Sequence, residues 1–159
     1  MADETKRLGR NTILFVYTPI KNAGGTVVAE DYYPVGCLTT NDLSKTNNTN
    51  DGTITKCNPN PSPTYTNQTY QLTWEAVSIE DDGERATSID LSKLQDESIS
   101  TNTPIFWKME TKNSDDTVDT KFGKALFTEF SESFPADGEA TYSGTFQGVG
   151  AISDTDLNV

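Results

Sequence analysis

Alternation of apolar and polar residues marks a series of β-strands along the chain. It is clearest over residues 69–79, where every second position is aromatic or aliphatic: Tyr70, Leu72, Trp74 and Ala76. Successive side chains of a strand point to opposite faces, so we expect these residues to face a hydrophobic core. Runs rich in β-branched and aromatic residues predict further strands at 12–18, within 27–38, and at 103–112, 121–134 and 139–152.

The last predicted strand places bulky and small residues on the same face. Tyr142 and Phe146 share that face with Gly144 and Gly148, while the opposite face carries Ser, Thr and Gln. Because the bulky pair repeats the inward pattern of the strand at 69–79, we predict that Trp74, Tyr142 and Phe146 are core residues.

One short helix is predicted between the strands, over residues 88–98. Thr87 and Asp90 have the spacing of a capping box, in which each side chain satisfies a backbone N–H of the first turn. Leu91 and Leu94 then fall on one helical face. Asp90 near the start also suits the positive end of the helix dipole.

A long polar segment, residues 39–66, separates the first strands from the rest of the chain. It is dominated by Thr, Asn, Ser, Asp and Pro, and Asn50-Asp51-Gly52 is a turn signal near its centre. We predict a hairpin arm that contacts a neighbouring subunit, with the candidate contact residues Asn47, Asn48, Thr49, Asn50 and Asp51. The alternative is a surface loop without a partner.

These elements predict a mainly β protein. Six to eight strands and one helix suit a β-sandwich or partial barrel with the helix covering one end. A length of 159 residues suits one domain, here residues 1–159 with the polar arm at about 39–66.

Composition excludes several kinds of chemistry. The sequence has no His, so Ser-His-Asp and Cys-His catalysis within one chain is excluded, and two Cys are too few for the usual zinc sites. We therefore expect no enzyme activity, no metal and no cofactor. A net charge of −12 disfavours nucleic-acid binding, since that affinity comes mostly from Lys and Arg that neutralise phosphates.

The two cysteines, Cys37 and Cys57, leave two possibilities open. A disulfide between them would close a polar loop, whereas a cytosolic protein would keep both thiols reduced. The charged start of the chain has no apolar region typical of a signal peptide, and no apolar run is long enough to span a membrane. We expect a protein made in a cytosol, without membrane contact.

The C-terminal third, residues 121–152, resembles the C-terminal hairpin of siphophage major tail proteins. The resemblance lies in a Gly-x-Ala element, an acidic turn and a Gln-Gly-x-Gly-like end: Gly123 with Ala125, Gly138-Glu139, and residues 146–150. Further features occur in the order that such proteins show: Leu8-Gly9-Arg10, Trp74, the Asp82-Gly83 turn and the Leu91–Leu94 helix.

This resemblance implies a structural virion protein. Subunits of that family join edge to edge into hexameric rings, whose sheets merge into one ring-shaped β-barrel. The rings stack into a tail tube that conducts DNA during ejection and that meets other tail proteins at its ends. The resemblance thus implies a homo-oligomer located in the virion tail and assembled in the host cytoplasm.

The charge suggests how such a tube would treat DNA. A conduit must not bind the DNA that passes through it, and a negative wall repels phosphates over about 8 Å at physiological salt. We expect a net-negative lumen, with Glu129, Glu132 and Glu139 as candidate lining residues. The alternative is that the acidic residues all lie outside and keep the particle soluble.

Three other functions compete with this interpretation. The chain would also suit a head-decoration or tail-completion protein, or a β-sandwich module for adhesion or carbohydrate binding. A glycosidase with paired carboxylates is a third possibility, because acidic residues are plentiful. Self-association separates these classes, since an adhesion module should stay monomeric whereas a tube subunit should form rings.

Overall fold

The computed structural model describes residues 11–21, 27–50, 52–57, 59–78 and 85–157. The sequence features Leu8-Gly9-Arg10, Asp51 and Asp82-Gly83 lie outside these residues. The described residues form seven strands and one helix, in this order: β1 (Thr12–Lys21), β2 (Val27–Pro34), β3 (Cys37–Asn50), β4 (Thr64–Val77), α1 (Ser88–Thr101), β5 (Ile105–Lys112), β6 (Val118–Ser133) and β7 (Thr141–Ser153).

All seven strands belong to one antiparallel sheet with the order β2-β1-β5-β6-β7-β4-β3. The two edge strands, β2 and β3, are consecutive in sequence and are joined only by Val35 and Gly36. A link this short spans roughly 10 Å at most, so the sheet must curl until its opposite edges meet at this corner. The mainly β class and the partial-barrel architecture predicted from the sequence are therefore confirmed.

Contacts between distant strands show how far the sheet curls. Tyr70 on β4 and Trp107 on β5 are separated by two strands in the sheet order, yet their ring centroids are 5.6 Å apart. The indole Nε1 of Trp107 donates a hydrogen bond of 3.2 Å to the Tyr70 hydroxyl, which in turn donates to the carbonyl of Lys124. Burial raises the pKa of Tyr70, so the phenol stays protonated and can donate.

The core fills the concave face of the curled sheet. Trp74 is 2% exposed and lies 5.5 Å from Tyr142 and 5.9 Å from Phe146, measured between ring centroids. Both partners are buried, at 1% and 0% exposure. The core also contains these buried residues from β4, other strands and the helix: Leu14, Val16, Leu72, Leu91, Ile105, Met109, Ala125 and Phe127.

Glycines on β7 provide the space that the aromatic residues of β4 occupy. A Cβ atom at Gly144 would lie only 2.5 Å from the Trp74 ring, and one at Gly148 would overlap the Tyr70 ring. The alternation of bulky and small residues on this face of β7 therefore matches the aromatic residues of the neighbouring strand. A side chain at either glycine would have to displace a buried ring.

Helix α1 begins and ends at defined caps. The Thr87 hydroxyl accepts from the backbone N–H of Asp90, and the Asp90 carboxylate accepts from the backbone N–H of Thr87, which confirms the predicted capping box. The helix runs to Thr101, three residues further than predicted, and ends at Asn102 in the left-handed region. Leu91 is fully buried, and α1 packs against β1 and β6.

Candidate assembly interface

The β3–β4 hairpin is anchored in the sheet over only half of its length. Its two strands pair from Cys37 opposite Val77 to Asn50 opposite Thr64. On its other side, β4 pairs with β7 only over residues 71–77. We define the arm as residues 44–69. It comprises the outer part of the hairpin, where β3 and β4 pair with each other but not with β7, and the tip that connects them.

The arm is polar and fully exposed along its paired part. All residues of 44–50 and 64–69 are exposed. Side-chain amides link the two strands, because Asn48 Nδ2 donates to Asn67 Oδ1 at 2.6 Å and Gln68 Nε2 donates to Asn47 Oδ1 at 2.7 Å. The arm candidates from 47 to 50 therefore lie together on the outer half of β3, while Asp51 is outside the described residues.

Two apolar side chains stand near the tip of this polar arm. Tyr65 is 81% exposed and Ile54 is 74% exposed, the highest values among the large hydrophobic residues that the structure describes. A two-stranded hairpin without a third strand or a core is only marginally stable in water. An arm of this kind, with solvent on both faces and two apolar residues near its end, is suited to a partner surface.

The convex face of the sheet has a polar half, which we call the polar layer. It lies on β4, β6 and β7 and contains a shallow concavity of about 220 Å³. These outward-facing residues line the concavity: Thr73, Glu75, Glu129, Ser143 and Thr145. Among the residues that the structure describes, no Lys or Arg lines this concavity. The described surface here is therefore hydroxylic and acidic.

The three candidate lumen residues do not share one surface. Glu129 pairs with Thr145, and so lies in the polar layer, whereas Glu132 pairs with the buried Tyr142 and lies at the end of the opposite face. Glu139 is exposed in the turn between β6 and β7. A register shift between Phe127 and Glu129 sets this arrangement, because it places one extra residue in β6.

The other half of the convex face is aromatic, and we call it the aromatic layer. It lies on β1, β2, β5 and β6 and contains Phe15, Tyr17, Tyr32, Phe106 and Phe122. The ammonium of Lys108 lies 4.5 Å from the centroid of the Phe15 ring and 3.0 Å from the carboxylate of Glu110. Its positive charge is thus balanced within the layer.

The C-terminal tail docks on the aromatic layer. The Tyr32 hydroxyl donates a hydrogen bond of 2.6 Å to the Asp156 carboxylate, and the Tyr32 ring packs edge-on against Tyr17 and Phe122. Burial and this carboxylate raise the pKa of Tyr32. The sequence did not predict this layer, because its aromatic residues fall on positions opposite to the core face and carry no local signature of their own.

Potential metal ligands do not cluster in the described residues. Those residues contain no group of three or more His, Cys, Asp or Glu side chains that could hold a metal ion. Both cysteines are free. Cys37 begins β3, and the other end of that strand is about 40 Å away. Cys57 follows that far end. Its Cα atom therefore cannot come within about 7 Å of the Cα atom of Cys37 in the same chain, the distance that a disulfide needs.

The structure contains no described helix that is long and apolar enough to cross a membrane.

Solved tail structures share this fold over nearly the whole chain. A subunit of the SPP1 tail tube, determined by solid-state NMR and cryo-EM, matches with a TM-score of 0.58 and 15% identity, over 91% of this chain and 77% of that one. A chain of the tail of an empty gene transfer agent particle, refined with C6 symmetry, matches with a TM-score of 0.57 and 13% identity, over 94% and 99%.

A third match comes from another tail-like particle. A chain in the six-fold symmetrised baseplate of the anti-feeding prophage has a TM-score of 0.61 and 8% identity, over 95% of this chain and 96% of that one. No protein-family model matches the sequence, and a search of curated protein sequences gave no match. The chain thus has the fold of tail tube subunits.

Proposed function

We propose that this chain is a structural, non-enzymatic subunit of a phage-type tail tube. The observation that carries the proposal is the shared fold, which extends over more than nine-tenths of the chain and includes a subunit of the SPP1 tail tube. On this proposal the chain forms homohexameric rings, and the rings stack into a tube in the virion tail. Assembly takes place in the host cytoplasm, and other tail proteins bind the tube ends.

The free edges of the sheet support ring formation. In the described residues, β2 and β3 each pair with a neighbouring strand on one side only. Unpaired edges readily pair with another chain, and closure into a ring removes them. Six copies joined through these edges would form one continuous barrel. Each curled sheet would then be one segment of the ring wall. The arm, which has no place in that wall, would contact a neighbouring subunit.

The polar layer is our proposed lumen wall. It carries Glu75 and Glu129 among hydroxyl side chains, whereas the aromatic layer carries lysines and packed rings. A negative, hydroxylic wall repels phosphates near the surface, and the described residues of the polar layer include no cation that would hold DNA. DNA would pass through without specific binding, with Glu129 as the one earlier candidate that lies on this surface.

Self-assembly of the purified protein tests the proposal. We expect sedimentation velocity to detect ring-sized species at high concentration, and negative-stain electron microscopy to show rings or tubes with a central channel. An adhesion or carbohydrate-binding module would stay monomeric at every concentration. A head-decoration protein would bind capsids and form no tubes, so either result would reject the tube proposal.

A further inference from the structure

A small patch of the sheet, where the polar layer meets the aromatic layer, combines aliphatic side chains with a lysine. Buried and outward residues alternate along β6 from position 123 to 127, so Lys124 and Leu126 point away from the core. Phe106 on β5 and Val149 on β7 lie directly opposite Lys124 and share its face of the sheet. We call these four outward residues the lysine patch.

The lysine patch is exposed, and its positive charge is not balanced. Leu126 is 42% exposed and Val149 is 37% exposed, although both are aliphatic. The Lys124 ammonium lies 5.8 Å from the centroid of the Phe106 ring, and no carboxylate of the described residues pairs with it. Lys108 on the same face, by contrast, forms an ion pair of 3.0 Å. The patch therefore suits a segment that carries both apolar and acidic side chains.

The turn between β6 and β7 has the complementary chemistry. We call residues 131–140 the acidic turn, because they contain three acidic residues and no Lys or Arg. Phe134 within it is 71% exposed. Among the residues that the structure describes, none forms a hydrogen bond or an ion pair with the carboxylates of Glu132, Asp137 and Glu139. An aromatic ring and three carboxylates are thus free to contact a partner.

Other acidic segments of the described chain are less suited to the lysine patch. Each carboxylate of the β5–β6 turn has a partner of its own: Asp115 accepts from Thr117, Asp116 pairs with Lys112, and Asp119 accepts from Asn113. In the tail, the Asp156 carboxylate accepts from Tyr32. On α1, Lys93 lies one turn before the exposed acidic residues. The acidic turn of a second copy is therefore the occupant that the charges and the exposed ring select.

We propose that the acidic turn of one copy docks on the lysine patch of a second copy, an inference that rests on the proposed tube function. The two surfaces lie toward opposite ends of the β6–β7 hairpin. Lys124 pairs with Val149, whereas Glu132 pairs with Tyr142, roughly 23 Å away along β7. The turn therefore cannot reach the patch of its own copy. Complementary surfaces at opposite ends of one hairpin give a head-to-tail contact that repeats from copy to copy.

Cross-linking of native side chains tests this contact. A water-soluble carbodiimide activates a carboxylate, a lysine amine in contact with it displaces the resulting urea, and an amide bond joins the two side chains. The reagent is added to protein assembled from equal parts of isotope-labelled and unlabelled chains, and linked peptides are identified by mass spectrometry. We expect links from Lys124 to the acidic turn that join labelled to unlabelled peptides. Lys124→Arg should retain assembly and lose the link.

Each outcome of the cross-linking separates the two proposals. Tubes without links between Lys124 and the acidic turn would overturn the docking site and leave the tube function standing. Such links in small oligomers that never form tubes would support the docking site and reject the tube function. Absence of both tubes and links would overturn both.

Charge reversal provides a second, independent readout. We expect Lys124→Glu to raise the protein concentration needed for assembly by at least about tenfold, because a fourth carboxylate would then face the three of the acidic turn. Lys121→Glu is the matched control, since Lys121 is an exposed lysine on the same strand outside the lysine patch. Adding Asp137→Lys and Glu139→Lys to Lys124→Glu swaps the charges and should restore assembly. Equal effects of the two single reversals, or no recovery after the swap, would contradict the contact.

Discussion

The inner and outer halves of the β3–β4 hairpin have the same two strands and opposite physical characters. Over the inner half, β4 alternates between buried residues such as Leu72 and Trp74 and exposed polar ones. Over the arm, every residue from 64 to 69 is exposed, although the strands remain paired. Pairing alone thus does not distinguish the halves; a third strand and a core do.

The third strand of the inner half is β7. It pairs with β4 over residues 71–77 and brings Tyr142 and Phe146 against Trp74. The arm has only its own cross-strand amide bonds, such as that between Asn48 and Asn67. We infer that the inner half stabilises the fold and that the arm is available for assembly, a division that substitutions can test.

The largest effect is expected at Trp74. Trp74→Ala removes the ring that contacts Phe127, Phe130, Tyr142 and Phe146, and should lower the free energy of unfolding by about 3–5 kcal/mol. Urea denaturation measures the change. Tyr65→Ala in the arm is the matched control and should change stability by less than about 0.5 kcal/mol. Similar losses from both would show that the halves do not differ.

A smaller loss is expected when space in the inner half is filled. At Gly144 even an added Cβ atom would lie only 2.5 Å from the Trp74 ring. Gly144→Val should therefore destabilise the protein by about 1–3 kcal/mol. Gly138→Ala is the control, because an added Cβ atom at Gly138 would lie at an ordinary contact distance, 3.4 Å, from the Pro135 side chain. Thermal unfolding of the two variants gives the comparison, and an unchanged melting temperature for Gly144→Val would refute the close approach.

Removal of the arm should affect assembly and leave stability nearly unchanged. Thr46 pairs with Thr69, so an Asn-Gly turn that joins them deletes residues 47–68 and can close the shortened hairpin. We expect a change in unfolding free energy within about 0.5 kcal/mol, since none of the described residues in the deleted range is buried. The tubes seen in electron micrographs should become much shorter or be lost. Tubes of normal length would show that the arm does not bridge subunits.

Charge reversal in the polar layer should also leave stability nearly unchanged. Glu129→Lys changes an exposed residue and should leave the fold intact, within about 0.5 kcal/mol. In assembled particles the lysine would attract phosphates, and DNA release should slow most at low salt, where screening is weakest. Lys substitution at Glu97 on the exposed face of α1 is the control. Equal release rates for both variants would remove Glu129 from the lumen wall.

Local signals in the sequence predicted the elements well. The alternation from Tyr70 to Ala76 identified the core face of β4, and the Thr87–Asp90 spacing identified the start of the helix. Both depend on residues close together in the chain, where side-chain direction follows directly from the backbone period. The polar composition of residues 39–66 likewise suggested a hairpin before any register was known.

Features that depend on distant parts of the chain were not predictable in this way. The two-residue link between β2 and β3 joins opposite edges of the sheet, an outcome decided by the packing of all seven strands. The register shift near Thr128 reverses the faces of β6 and separates Glu129 from Ala125 and Phe127, without a Gly or Pro to mark it.

A cryo-EM reconstruction of the assembled protein tests the central claim most directly. We predict stacked rings of six subunits, with Glu75 and Glu129 facing the channel and each arm crossing into a neighbouring subunit. Protein that remains a monomer at high concentration, or rings in which the aromatic layer faces the channel and the arms extend into solvent, would contradict the account.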